Sequence, residues 1–292
     1  MGTSYKLKGH GSFYVREGWL RKGLKNIRKY GGNLFSRKDA VEILGVGANM
    51  VGAIKYWLLA TGLVEYSSDK KSLKITPLGE MIDKYDPYFE DIFTLWLMHY
   101  KIATNKEFCT SWYLFFNEVD IKYFSKAELL EVLKSKFEDI FRPEKYSLKS
   151  LEDDGECIIK MYLDKAVDEV SPEDNLVSPF SRLGLLRLKD KKRGIYERVV
   201  PSFDAIHPLI LLYAVLDFFG KTVINMNEEI LHNRGISRIF NLDGYGVYRY
   251  MEVLERKNYV NIVRTAHLNT LYLNMKDKNQ VLEEYYKDEA QG

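Results

Sequence analysis

The sequence is poor in the residues and patterns that mark the commonest chemistries. Its two cysteines, Cys109 and Cys157, lie far apart and outside any C-x-x-C spacing, which excludes a disulfide framework and a structural zinc site. Each is expected as a small buried hydrophobe. No apolar run approaches the roughly 20 residues that a bilayer span requires, and the start, MGTSYKLKGHGSFYV, has no apolar signal core. The cytoplasm is the expected compartment, with no membrane partner. Gly45-Val46-Gly47 lacks the third glycine and the lysine of a phosphate-binding loop, so it reads as a turn. A nuclease pattern of P-D with E-x-K on strands is also missing; the one near match, Glu255-Arg256-Lys257, falls in a helical pattern. No Ser-His-Asp or Cys-His set can be assembled.

What is present is a chain of 292 residues with 46% apolar side chains, enough for two or three small domains with packed cores. The 21 tyrosines and 15 phenylalanines fall mostly at core spacing rather than as base-stacking platforms. Charge is unevenly placed. Residues 1–80 hold 14 Lys and Arg against 6 Asp and Glu, while the whole chain carries only +2, so the rest is acidic. Such asymmetry points to an anionic partner at the N-terminal end.

The stretch from Ser36 to Glu80 has the order of a winged helix-turn-helix. Ser36 is an N-cap candidate with Asp39 three residues on, and Ala40, Val41 and Leu44 recur at helical spacing. After the glycine turn, Asn49 can cap a second helix with the stripe Met50, Val51, Ile54, Trp57 and Leu58, ended near Gly62. Leu63–Tyr66 and Leu73–Thr76 read as strands of a wing with a basic tip, and Pro77 starts the next helix. A preceding helix, from Gly18 to Tyr30, buries Trp19, Leu20, Leu24 and Ile27. This gives a DNA-binding module over residues 1–82. Its second helix would enter a major groove, and its lysines would meet phosphates.

A helical connector follows over 83–122, with Ile92–Ile102 apolar almost all round and therefore buried. His99 on it is expected as a hydrogen-bonded core histidine. Asp83, Asp86, Glu90 and Asp91 could in principle hold a divalent cation, but they surround a proline break where helix-end carboxylates belong. Ser125 and Glu128 form a capping box, Ser147 leads another helix, and a hairpin turns at Lys189–Gly194. The order helix, helix, wing thus recurs over 123–202. A third pass, over 203–275, has a long helix from Leu209, a segment at Asn227–Leu231, a helix over Tyr245–Glu255 and a hairpin at Tyr259–Val263 and Thr270–Leu273. Residues 276–292 read as an acidic tail or frayed helix. The expected fold is mainly α with small β wings (α+β), as repeated winged helix-turn-helix modules around a helical core.

Several phrases resemble a family catalogued as domain of unknown function 4007: Gly9-His10 with Phe13, Arg16 and Gly18-Trp19-Leu20, then LGVGANMV with IKYWLLATGLVE, TPLGE, DPYFED with TLWLMH, and SWYLFFNE. The likeness is strong over residues 9–118 and continues more weakly to near 273. It departs at Gly11, where that family has an acidic residue. The resemblance implies a component of Ssp-type single-strand DNA phosphorothioation that accompanies a P-loop ATPase and a PAPS-reductase-like protein. In that system it would bind double-stranded DNA and nick one strand for sulfur insertion, with Mg²⁺ or Mn²⁺ as the cofactor of a nickase.

Residue by residue, the expected DNA contacts are Arg21, Lys22, Lys25, Arg28, Lys29, Arg37, Lys38, Asn49, Lys55, Lys70 and Lys71, with Lys191, Lys192 and Arg193 on the second wing. The catalytic candidates are His10 as general base or metal ligand, Arg16 to steady a phosphate, and Glu118 at a helix end. The metal ligands are not assigned. Two readings stay open: a nicking endonuclease, and a non-catalytic DNA-binding adaptor or transcription regulator that recruits partners.

Overall fold

Trp19, Leu20, Leu24 and Ile27 form the buried side of α1 (Trp19–Tyr30) in the computed structural model of the chain. Residues 4–164, 177–227, 235–265 and 269–289 are described. The chain divides into one unit of residues 1–199 and another of 200–292.

In the first unit α1 is followed by a 3₁₀ turn, then α2 (Ala40–Leu44), α3 (Ala48–Ala60), β1 (Val64–Tyr66) and β2 (Leu73–Ile75). The two strands pair antiparallel with Glu65 opposite Lys74. This is the order of elements expected from the sequence, but two caps differ. Ser36 lies in the 3₁₀ turn, and α2 begins behind Asp39, whose carboxylate is held by the Arg37 fork rather than reaching the helix N–H groups. Asn49 does not cap α3. Gly45 ends α2 at φ 57°, Gly47 is already extended, and the helix starts at Ala48, which leaves Asn49 exposed in its first turn. Gly32 is required where it stands. A Cβ there would sit 1.8 Å from the Leu73 carbonyl oxygen, and the Gly32 carbonyl accepts the Leu73 N–H, docking β2 onto the loop after α1.

Thr76 caps α4 (Pro77–Tyr85) through its hydroxyl, and Asp91 caps α5 (Ile92–Thr104), where Phe93, Trp96, Leu97 and Tyr100 are all buried. His99 is buried too and hydrogen-bonds the Tyr162 hydroxyl through Nδ1 at 2.9 Å. After α6 (Thr110–Tyr113) comes a π-helical turn over Leu114–Glu118. The capping box of Ser125 and Glu128 opens α7 (Lys126–Phe141), and Ser147 caps α8 (Leu148–Tyr162). The hairpin of β4 (Leu186–Asp190) and β5 (Ile195–Arg198) gains a strand that the sequence reading lacked. β3 (Tyr123–Phe124) pairs with β5 to give the order β3-β5-β4.

The second unit contains α9 (Pro208–Phe219), β6 (Val223–Asn225), α10 (Gly235–Ile239), α11 (Gly244–Arg256), β7 (Val260–Arg264), β8 (Asn269–Leu273) and α12 (Lys278–Glu289). Its sheet has the order β6-β8-β7. The expected segment at Asn227–Leu231 lies, beyond Asn227, outside the described residues. Residues 278–289 form a helix rather than a frayed tail. Val281, Leu282, Tyr285 and Tyr286 form a buried stripe at helical spacing, and α12 packs on α9. Among the described residues the fold is thus mainly helical with small antiparallel sheets.

Candidate nucleic-acid interface

Burial of Val51, Ile54, Trp57 and Leu58 fixes which side of α3 faces out. The outer side presents Asn49, Gly52 and Lys55 at successive turns, with Lys55 only half-buried. Lys55 Nζ lies 5.3 Å from the centre of the exposed Tyr66 ring on β1, so helix and wing share one polar surface. At the wing tip Lys70 adopts φ 57°, and Asp69 accepts the Lys71 N–H and the Ser67 hydroxyl, which leaves both lysine side chains exposed.

The cations of α1 divide into two groups. Arg28 is held by Glu80 at 2.6 Å and Asp83 at 2.8 Å, and Lys29 lies 4.9 Å over Tyr30. Arg21 stacks 3.9 Å from the Tyr88 ring centre, with its guanidinium facing an exposed aromatic. Lys22 and Lys25 pair with no carboxylate among the described residues. Arg37 is bound bidentately by Asp39 at 2.7 and 2.8 Å, which holds that carboxyl below its usual range, while Lys38 next to it is exposed. The basic face expected from the sequence is therefore thinner than its charge count. Arg28 and Arg37 are engaged by carboxylates within the fold. Lys22, Lys25, Lys38, Lys70 and Lys71, and Lys55 over Tyr66, pair with no carboxylate among the described residues.

The three catalytic candidates have separate surroundings. His10 is fully buried between Tyr56, Trp57 and Trp112, and its Nε2 lies 2.7 Å from Asp154 Oδ1. Asp154 is itself buried and accepts the Ser111 hydroxyl at 2.6 Å and the Lys8 N–H at 2.9 Å. Arg16 is half-buried. Its guanidinium carbon lies 5.2 Å from the Trp19 ring centre, 5.7 Å from Phe13 and 6.0 Å from Tyr14, and Nη1 is 3.9 Å from Met50 Sδ in the first turn of α3. No carboxylate among the described residues pairs with it. Glu118 ends the π-helical turn and accepts the Tyr113 hydroxyl at 3.2 Å; burial and that carboxylate push the tyrosine up to about 12.

Sequence reasoning missed two groupings. Asp154 is one; its only local signal is a carboxylate between Leu151 and Ile158, at core spacing on α8. The other lies on the β3-β5-β4 sheet, where Glu197 is nearly buried among Arg187, Lys189 and Lys122. The acidic cluster at the α4–α5 junction serves the backbone, as expected. Asp86 accepts the N–H groups of Glu90 and Asp91, Asp91 caps α5, and Asp83 holds Arg28. Burial raises the Asp86 carboxyl. Among the described residues no three His, Cys, Asp or Glu side chains converge to hold a metal ion. No helix among them is long and apolar enough to cross a membrane.

The model of a family described as "Protein of unknown function (DUF4007)" matches residues 7–286. The chain belongs to the DUF4007 family. Two solved structures of similar fold are a magnesium-ion-bound crystal structure of SspB, with a TM-score of 0.85, and a second crystal structure of SspB, with a TM-score of 0.84. Each is 26% identical to this DUF4007 chain, over 98% of it and 89% of the SspB chain. Among curated proteins none matches. The family and the SspB likeness bear out the Ssp-type resemblance carried by the motifs between Gly9 and Glu118.

Proposed function

We propose that this DUF4007 protein is a component of a DNA phosphorothioation or defence system that binds duplex DNA through its N-terminal module and nicks one strand. The observation that carries DNA binding is the run of uncommitted lysines over one module: Lys22 and Lys25 on α1, Lys38 before α2, Lys55 on α3, and Lys70 and Lys71 on the wing. In this reading the module is a winged helix, α3 meets the groove and the wing grips the backbone. The likeness to SspB supports the biological setting, and partners of the P-loop ATPase and PAPS-reductase-like classes go with it.

Within the proposed reaction Arg16 steadies a phosphate. Its guanidinium is oriented by Trp19 and Phe13 and meets no carboxylate among the described residues, so its donors remain for an anion beside α3. His10, enclosed and paired with Asp154, positions the lead that carries Arg16, and Glu118 is the remaining acid–base candidate. One SspB structure is described with magnesium. Among the described residues of this chain no three His, Cys, Asp or Glu side chains converge on a metal site. The second reading is a DNA-binding adaptor whose partner cuts.

Supercoiled plasmid incubated with the protein in Mg²⁺, in Mn²⁺ and in EDTA, beside a gel shift on the same DNA, separates the two. Open-circular product that is lost on Arg16→Ala while the shift persists supports the nickase. A shift without nicking in any condition assigns the chain to the adaptor. No shift at low salt removes both readings.

A further inference from the structure

The second basic cluster lies on the β3-β5-β4 sheet. The register sets Tyr123 opposite Glu197 and Glu197 opposite Arg187, so these three share one face, with Lys189 two residues along β4 on the same side. Glu197 sits at the centre with its side chain 6% exposed. Arg187 Nε donates to its Oε2 at 2.7 Å, while Lys189 and Lys122 stand off at 3.8 and 3.9 Å with their side chains 50% and 65% exposed. Three cations thus meet one carboxylate. The Arg187 bond, followed by the charge of Lys189 and the Tyr123 hydroxyl, holds that carboxyl below its usual range against burial. Tyr123, on the edge strand, is exposed and lies 5.3 Å under Lys122 Nζ. The β4–β5 turn continues the charge with Lys191, Lys192 and Arg193, where Asp190 accepts the Lys192 and Arg193 N–H groups.

We propose that this sheet face and its turn form a second nucleic-acid surface that grips the phosphodiester backbone, and that Glu197 is the positioning residue that sets its strength. The proposal rests on the reading of the chain as a DNA-binding protein. Strands lie about 4.8 Å apart, so the cations form a stripe across the sheet rather than a cup around one anion. Among the described residues Lys122, Arg187, Lys189, Lys192 and Arg193 face the two carboxylates of Glu197 and Asp190. A stripe of surplus positive charge beside an exposed tyrosine fits a phosphate backbone with an adjoining sugar or base. Glu197 acts in two opposed ways. It orders Arg187 and the lysines, and it cancels part of the charge a phosphate would otherwise meet.

The test measures binding of the full chain to a labelled duplex by fluorescence anisotropy over a range of salt. Lys189→Glu with Lys192→Glu should make the log–log salt slope shallower by about 1.8, the share of two phosphate contacts. Glu197→Gln, by removing the internal competitor, should tighten binding about fivefold at 0.1 M salt. Lys192→Glu alone, at the exposed turn, gives the first readout without disturbing the ion cluster. Should Lys70→Glu with Lys71→Glu abolish binding while all three sheet variants keep wild-type affinity and slope, the second surface is overturned and DNA binding by the first module stands. Wild-type protein that fails to bind the duplex overturns both.

Discussion

At Asp154 a single side chain joins the N-terminal lead to the helical core. It lies 144 residues from His10 and accepts from the Lys8 backbone in a part-buried bond, and from Ser111 and at His10 Nε2 out of water. Removing one member of a buried charged group leaves its partners without compensation, at about 3–5 kcal/mol. Asp154→Ala should therefore lower the unfolding free energy by that amount, read as a lower urea midpoint at constant m, and a loss under about 1 kcal/mol would show that the hub is not structural. The same logic separates the two roles available to His10. A positioning role predicts that His10→Ala loses thermal stability and nicking together, whereas acid–base chemistry predicts lost nicking at an unchanged melting temperature. The thiols give a pH dependence. Burial pushes Cys109 up to about 12, and burial raises Cys157 well above its ordinary value. Between about pH 9 and 12 the unfolded chain loses these protons while the native one keeps them, so native stability falls as pH rises, by about 1.4 kcal/mol per unit for each thiol. Urea titrations from pH 8 to 10 check this, and a flat profile above pH 9 would contradict it.

α3 shows how far a local pattern reaches at the scale of an element. Its apolar stripe, its start after a glycine turn and its end before Gly62 were legible because each depends on neighbours in sequence, as do the capping box of α7 and the Pro77 start of α4. Asn49 was misread as a cap because the pattern alone did not show that Gly47 is already extended. The Asp154 hub and the Glu197 ring were not legible, since their partners come from separate elements and no periodicity links them. α12 was hidden for a different reason: its charged residues mask Val281, Leu282, Tyr285 and Tyr286, which carry its docking. Gly52 on α3 yields a prediction that couples element to function. It is exposed in mid-helix, and a Cβ there would meet nothing within 4 Å. Gly52→Ala should stabilise the fold by roughly 0.5–1 kcal/mol through helix propensity alone. If α3 lies against DNA, the added methyl also intrudes on the contact, so the more stable variant should bind duplex more weakly. Equal binding by the variant would argue that α3 does not face the groove.

For the whole molecule the controlling quantity is where the charge lies rather than how much there is. A chain of net charge +2 would give little attraction to DNA if its charges were mixed evenly. Here residues 1–80 are strongly basic, and the fold then sorts those cations. Acids neutralise Arg28 and Arg37 inside the first unit, while Lys22, Lys25, Lys38, Lys55, Lys70 and Lys71 keep their charge at the surface. With about five of these six on phosphates, the N-terminal module should contribute about −4.5 to the slope of log affinity against log salt, to which any contacts of the β3-β5-β4 sheet add. The value is set by contacts, so it discriminates among structural accounts. A slope near zero would mean that the basic module is only a solvated surface. A slope of about −4.5 that Lys55→Glu, Lys70→Glu and Lys71→Glu together reduce to about −1.8 would place the contacts on α3 and the wing. A steep slope that survives those three changes would move the main contact to the lysines of α1 and Lys38 or to the β3-β5-β4 sheet, and Lys189→Glu with Lys192→Glu then separates the two.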